Sequence, residues 1–205
     1  MEYQFTSEEV QKAKSIIESQ LDYKVADIQR AILKGYMYTA RLIEHIKNMQ
    51  EGVHMKAITI KQPWATLIAL GEKKFETRSW QTKHRGSLAI HAGKSVDKEA
   101  CDDIEIKLAL AKHGITSYKQ LPIGAVIATA EMVQCHGITK DWCEFGVAET
   151  DKGAKIEGDE YWFGYYEEGR YAWELANVKV LEEPVPAKGQ LSLWEWANDD
   201  EKKEA

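Results

Sequence analysis

No tryptophan occurs in the first 63 of the 205 residues, whereas all seven fall between Trp64 and Trp196. A break of that size sets an N-terminal segment apart from a unit of different composition. Cysteine is nearly absent too. Cys101, Cys135 and Cys143 are odd in number and form no Cys-x-x-Cys pair, which excludes a disulfide framework and points to a reducing, intracellular setting. His136 lies beside Cys135, with Cys143 further on, but the spacing matches no structural zinc pattern, so no metal is expected. Basic charge is in deficit, 27 Lys and Arg against 33 Asp and Glu for a net charge of −6. That excludes a grip on polynucleotide by bulk positive charge, though not a local basic groove. With only four prolines and fourteen glycines against 44% hydrophobic residues, fibrous repeats and wholesale disorder are excluded as well. The longest apolar runs, such as 65–70 and 125–130, fall far short of the roughly 20 residues that span a bilayer. The opening MEYQFTSEEVQKAK is polar where a signal peptide is basic and then apolar. A soluble, cytoplasmic protein without a cofactor or a membrane partner is the expectation.

What is present begins with a capping box, Thr6 at the N-cap and Glu9 three residues on, followed by Val10, Ala13, Ile16, Ile17 and Leu21 at helical spacing. Residues 7–20 are expected to be helical, with Glu8 and Lys12 as an i,i+4 pair. Val25, Ile28, Ile32 and Leu33 mark a second helix ending near Gly35, and 36–50 a third with Tyr36, Ala40, Leu42, Ile43, Ile46 and Met49 on a broad apolar side. Tyr38, Arg41 and His45 share another face of that helix. Three short helices with a tight turn allow a helix-turn-helix geometry. The segment 1–54 carries seven basic and eight acidic residues, so a packing or dimerisation appendage stands beside the DNA-binding reading.

The run from Ala26 to Gly52 resembles the C-terminal gamma domain of the FtsK/SpoIIIE DNA translocases, through Gln29-Arg30, Gly35-Tyr36, Ala40-Arg41-Leu42 and Glu51-Gly52. The resemblance implies a winged-helix DNA reader with Tyr38, Arg41 and His45 as contacts, although no segment for the wing follows Gly52.

Gln50 to His54 reads as a junction, with a domain over 55–197 and a polar tail over 198–205. Ala57, Ile58 and Ile60 read as a strand, and Pro63 opens a short helix to Gly71. Strands are expected over 74–78, 88–91, 124–133, 171–181 and 190–196, with one helix over 97–112 whose stripe is Cys101, Ile104, Leu108 and Ala111. The charged stretch 149–160 reads as a surface insertion. The fold class is α+β: a three-helix, helix-turn-helix-like unit, then a small β-barrel with peripheral helices.

This second unit resembles the ASCH domain, within the PUA-like superfamily. The motifs are Ile60-Lys-Gln-Pro-Trp-Ala65, Gly71-Glu-Lys-Lys-Phe-Glu-Thr-Arg-Ser-Trp80, His84-Arg-Gly86, His91-Ala-Gly-Lys94, Leu121-Pro-Ile-Gly124, Gly169-Arg-Tyr-Ala-Trp173 and Pro186-Ala-Lys-Gly-Gln-Leu-Ser-Leu-Trp194. The resemblance implies a barrel with a cleft along 71–80 that binds RNA or a modified nucleotide. In relatives that hydrolyse acylated cytidine, the implied groups fall on Lys73 and Glu131, while Glu76 stands where those relatives carry threonine.

Strand alternation puts Lys74, Glu76, Arg78 and Trp80 in one row, with Phe75 and Thr77 opposite. A base needs a stacking plane and polar groups at its edge, and its phosphate needs cations. Trp64 or Trp80 can supply the plane, Gln62 and Glu76 the edge contacts, and Arg78, Arg85 and Lys94 the cations, with Lys73 as a further cleft residue and His91 as either a polar wall or a hydrogen-bonded structural histidine. Trp142, Trp162 and Trp173 are expected as packing residues, and Trp194 and Trp196, which share strand parity, as closing the barrel or walling the cleft. Three functions follow as expectations. One is a nucleic-acid-binding protein with an N-terminal DNA contact and an RNA or nucleotide cleft. Another is a small hydrolase, amidohydrolase or ribonuclease, using Lys73, Glu76 and Glu131. The last is a protein-interaction factor, an adaptor or inhibitor of a nucleic-acid machine, and a homodimer through paired helical arms is open beside all three.

Overall fold

A computed structural model describes residues 5–19, 24–50 and 53–198. They divide into two compact units, Met1–His54 with Ala197–Ala205, and Met55–Trp196.

In the first unit, Thr6 and Glu9 close the start of α1 (Ser7–Ser19) reciprocally. Glu9 accepts from the Thr6 N–H and hydroxyl, both at 3.0 Å, and the Glu9 N–H donates to Thr6 Oγ1 at 3.2 Å. Lys12 donates to Glu8 at 2.7 Å, the expected i,i+4 pair. With α2 (Val25–Ile32) and α3 (Tyr36–Gln50), this helix buries Ala13, Ile28, Ile32, Leu42 and Ile43 in a small core. The chain leaves α2 at Leu33, in the left-handed region at φ 54°, two residues before Gly35 and so near the expected end. The Gly35 carbonyl accepts from Thr39 N–H at 3.0 Å and Thr39 Oγ1 at 3.1 Å, opening α3. The apolar side expected for α3 is narrower than its sequence, since Tyr36 is exposed.

The second unit is built on one long antiparallel pair, β4 (Ala125–Trp142) and β7 (Tyr171–Pro186), whose register shifts at several places. β7 runs past the expected end at 181 to pair Val185 and Pro186 with Val126 and Ala125 at the start of β4, and β4 runs past 133 because its outer part carries a further layer. That layer is the β5 (Val147–Thr150) and β6 (Lys155–Glu157) ladder with α7 (Asp159–Trp162). The charged side chains Glu149, Asp151, Lys152, Lys155, Glu157 and Asp159 are exposed, as expected of a surface stretch, while Ile156 between them and Ala148 and Tyr161 on either side are buried. On the other side, β3 (Gly86–Val96) pairs antiparallel with β4 and parallel with β1 (Val53–Gln62). Leu88, Ile90, Ile58 and Ile60 from these strands pack on α4 (Trp64–Ala69), Met132 and Trp173 in the main core.

The barrel expected from the sequence does not form. The strand order is β2-β7-β4-β3-β1-β8, with β2 (Phe75–Arg78) at one edge and β8 (Leu193–Asn198) at the other. Closure needs a continuous ladder around the whole circuit. The four-residue β2 turns toward β1 but reaches it only through a side chain, Arg78 Nη2 donating to the Thr59 carbonyl at 2.8 Å. A cavity occupies the place where the ladder would have closed. Trp194 and Trp196 are buried against β1, β3 and β4 and do not seal a barrel.

The helix expected over 97–112 is two, α5 (Lys98–Asp102) and α6 (Ile104–Lys112), because Asp103 is extended at φ −58° and ψ 134°. The break resets the helical phase. Ile106, Ala109 and Leu110 are buried, whereas Ile104 and Leu108 are exposed. Among the described residues, no helix is long and apolar enough to cross a membrane.

Candidate nucleotide-binding site

The cavity between β1 and β2 has a volume of about 420 Å³. Thr59, Ile60 and Lys61 of β1 form one wall, and Glu76, Thr77 and Arg78 of β2 the other. Trp64, Lys73, Asp103, Ile106 and the segment Trp162–Tyr165 complete it. Two local features put these groups there. The turn after α4 brings the Lys73 N–H onto the Leu67 carbonyl at 3.1 Å, which directs a lysine into the interior. The Glu160 carboxylate then accepts from the Lys74 N–H at 2.6 Å and the Phe75 N–H at 3.2 Å, anchoring the free start of β2.

The polar floor is a buried charge cluster. Lys73 is 1% exposed, with its ammonium 3.5 Å from Glu160 Oε1 and 3.4 Å from the Tyr166 hydroxyl. Burial pushes its pKa below the usual lysine range, against the pull of Glu160 and then of Glu76. The Tyr166 hydroxyl donates to Glu160 Oε1 at 3.0 Å, and burial followed by that carboxylate holds the phenol well above its usual range. Glu76, 7% exposed, pairs with Arg78 Nη2 at 2.9 Å. Arg78 Nε is buried without a protein hydrogen-bond partner. Such a donor costs free energy unless a ligand or water meets it.

Four of the residues expected in the cleft do line it: Trp64, Lys73, Glu76 and Arg78. The others lie elsewhere. Gln62 is fully buried and spent on structure, donating to the Pro122 carbonyl at 2.6 Å and accepting from the Thr66 N–H at 3.0 Å. Lys74 precedes β2 and is exposed. Trp80 lies past the strand end, edge-on to Trp173 at 4.6 Å. Arg85 donates to the His84 carbonyl at 2.7 Å and to Gln134. His91 is held at the Ala187 carbonyl, 3.1 Å away, beside Trp194, and burial lowers its pKa. Lys94 is exposed, its stem beside Gly124. Glu131 is exposed and accepts from Asn177 at 2.8 Å, so it does not converge with Lys73 and Glu76.

Sequence reasoning misses Glu160, Tyr165 and Tyr166, and assigns Trp162 to packing. Trp162 is 51% exposed and Tyr165 57%, so Trp162 is a wall of the cavity and not the packing residue expected. Trp142 is likewise exposed, with Lys140 over its ring, and of these three tryptophans only Trp173 is a core residue. The aromatic density of Tyr161-Trp162-Phe163-Gly164-Tyr165-Tyr166 was the signal available.

In the first unit, Tyr38 donates to Glu9 at 2.6 Å and packs edge-on to Phe5 at 5.3 Å. Its bond to Glu9 raises the phenol to about 12 and holds the carboxylate at about 2. Arg41 is exposed, and the side chain of His45 lies outside the described residues.

An open mixed sheet, a motif-rich cavity between β1 and β2 and a capping segment from α7 thus define the domain. The chain belongs to the ASCH domain family, whose model matches residues 58–185. The match begins after the three-helix unit, and nothing in the comparisons supports the likeness of residues 7–52 to the translocase domain. Over 80 residues the chain is 30% identical to mouse activating signal cointegrator 1, and 29% identical to the human protein of that name. Each alignment covers 38% of this chain and 14% of the relative, so the chain spans only a small part of those proteins.

Proposed function

We propose that the Met55–Trp196 unit binds nucleic acid by taking one unpaired base or nucleotide into the cavity between β1, β2 and α7. The observation that carries this reading is the placing of a half-exposed indole, Trp162, in the lining of the same cavity as buried Glu76 and its ion-pair partner, half-buried Arg78. A base presents a flat face and a hydrogen-bonding edge. Trp162, Tyr165 and Trp64 offer planes, Glu76 accepts from amino or imino N–H groups, and Arg78 donates to ring nitrogens, carbonyls or phosphate. The volume suits a small ligand and not a duplex. Membership of the ASCH family supports a nucleic-acid role, and RNA or a modified nucleotide is the ligand we favour.

Binding is preferred to hydrolysis. The carboxylate beside Lys73 is Glu160, committed to two backbone N–H groups and Tyr166, while Glu131 faces away from the cavity. No DNA contact is assigned to the three-helix unit, because the Tyr38 hydroxyl is committed to Glu9.

Trp162→Ala is expected to weaken binding of single-stranded RNA by about 5- to 150-fold, the equivalent of about 1–3 kcal/mol per stacked base. Fluorescence anisotropy on labelled oligoribonucleotides measures it. Equal affinity of the variant and the parent chain would remove the stacking role.

A further inference from the structure

Within Met55–Trp196, the exposed large aromatic side chains among the described residues are Trp142, Phe145, Trp162 and Tyr165. They come from two segments that are fastened together. The Tyr161 hydroxyl donates to Asp141 Oδ1 at 2.5 Å, joining α7 to the end of β4. Gly146, at φ 63°, lies so close to Trp162 that a Cβ there would stand 3.1 Å from the indole Cζ2. Trp162 and Tyr165 line the cavity, whereas Trp142 and Phe145 do not. The aromatic surface therefore continues beyond the cavity, along the β4–β5 corner.

We infer that this ridge is the path of a single-stranded RNA whose first base occupies the cavity, with the following bases stacking on Phe145 and Trp142. The inference rests on the cavity being a nucleotide site, and it names the ligand as a strand and not a free nucleotide. Three observations favour that occupant. The ridge exposes four large aromatic side chains, a surface that suits base faces of any identity. Cations sit over the rings at both ends, Lys140 at 4.7 Å from Trp142 and Arg170 at 4.9 Å from Tyr165. The segment that carries the ridge meets the cavity wall where Gly146, next to Phe145, lies against the Trp162 indole. Asp141, Glu144 and Glu167 lie in the same segments, so stacking and not phosphate neutralisation must supply the affinity, and the salt dependence is correspondingly shallow. Unpaired strands are the form in which RNA displays its bases for recognition.

The experiment compares the full chain with its Trp142→Ala/Phe145→Ala variant and with Trp162→Ala. The probes are a labelled mixed-sequence octaribonucleotide, its deoxy counterpart and a mixture of the four nucleoside 5′-monophosphates. The double variant is expected to bind the octaribonucleotide at least about tenfold more weakly and the monophosphates unchanged, while Trp162→Ala weakens both. Trp142→Phe/Phe145→Tyr, which keeps the rings, is expected to restore octamer binding. An octamer bound equally by the parent and the double variant overturns the path and leaves the cavity reading standing. A deoxy octamer bound more tightly than the ribo form overturns the assignment to RNA. Failure of the parent chain to bind either monophosphates or octamer overturns the cavity reading itself.

Discussion

Replacing Glu160 by alanine is expected to lower the unfolding free energy by about 3–5 kcal/mol, the usual cost of leaving a buried charge without its partner. The carboxylate meets the Lys74 and Phe75 N–H groups at 2.6 and 3.2 Å, the Tyr166 hydroxyl at 3.0 Å and the Lys73 ammonium at 3.5 Å. Alanine strips all four at once and leaves the ammonium of Lys73, 1% exposed, without its nearest carboxylate. Lys73→Met is the instructive contrast. It removes the buried ammonium and fills much the same volume, while Glu160, 14% exposed, keeps its bonds to the Lys74 and Phe75 N–H groups and to Tyr166, so the loss is expected to be smaller than that from Glu160→Ala. Denaturant unfolding of both variants checks the pair. A loss from Lys73→Met as large as that from Glu160→Ala would mean that the ion pair, and not the anchoring of β2, is what Glu160 provides.

Gly164→Ala is the second large effect. Its α-carbon needs no left-handed backbone, but a Cβ there would lie 2.5 Å from Tyr166 Cε2, 2.6 Å from Cζ and 2.8 Å from the hydroxyl oxygen. Tyr166 cannot yield easily, being 2% exposed and stacked on Tyr161 at 5.8 Å. Overpacking of this kind costs about 1–3 kcal/mol. The displacement would also pull the Tyr166 hydroxyl from Glu160 and alter the wall that Gly164 contributes to the cavity. Both a lower thermal midpoint and weaker oligonucleotide binding are therefore expected. Unchanged stability with unchanged affinity would show that Tyr166 has room to move.

The part of the site nearest in sequence was the part that could be read. The motifs at 60–65 and 71–80 put Trp64, Lys73, Glu76 and Arg78 together in the cavity. Strand parity then misled where the strand was not there to carry it. β2 spans only Phe75–Arg78, so Lys74 and Trp80 fall outside the alternation, and Trp80 turns onto Trp173. Gln62, Arg85 and His91 were chosen for their polar chemistry, which backbone carbonyls and, for Arg85, Gln134 already absorb. Glu160 and Tyr166 meet Lys73 across more than 80 residues of chain, a pairing that periodicity cannot express. The same limit explains the barrel: strands were countable, but whether β2 and β1 would share a ladder or a cavity depended on Arg78 reaching Thr59.

The central claim is that a base enters the cavity between β1, β2 and α7. The most direct measurement is a nuclear magnetic resonance titration of the indole N–H signals of the seven tryptophans with nucleoside 5′-monophosphates. Saturable shifts of the cavity residues Trp162 and Trp64 are expected, with Trp173, Trp194 and Trp196 unmoved and the shifts lost in Arg78→Ala. Shifts confined to Trp194 and Trp196, or none at saturating nucleotide, would contradict the account.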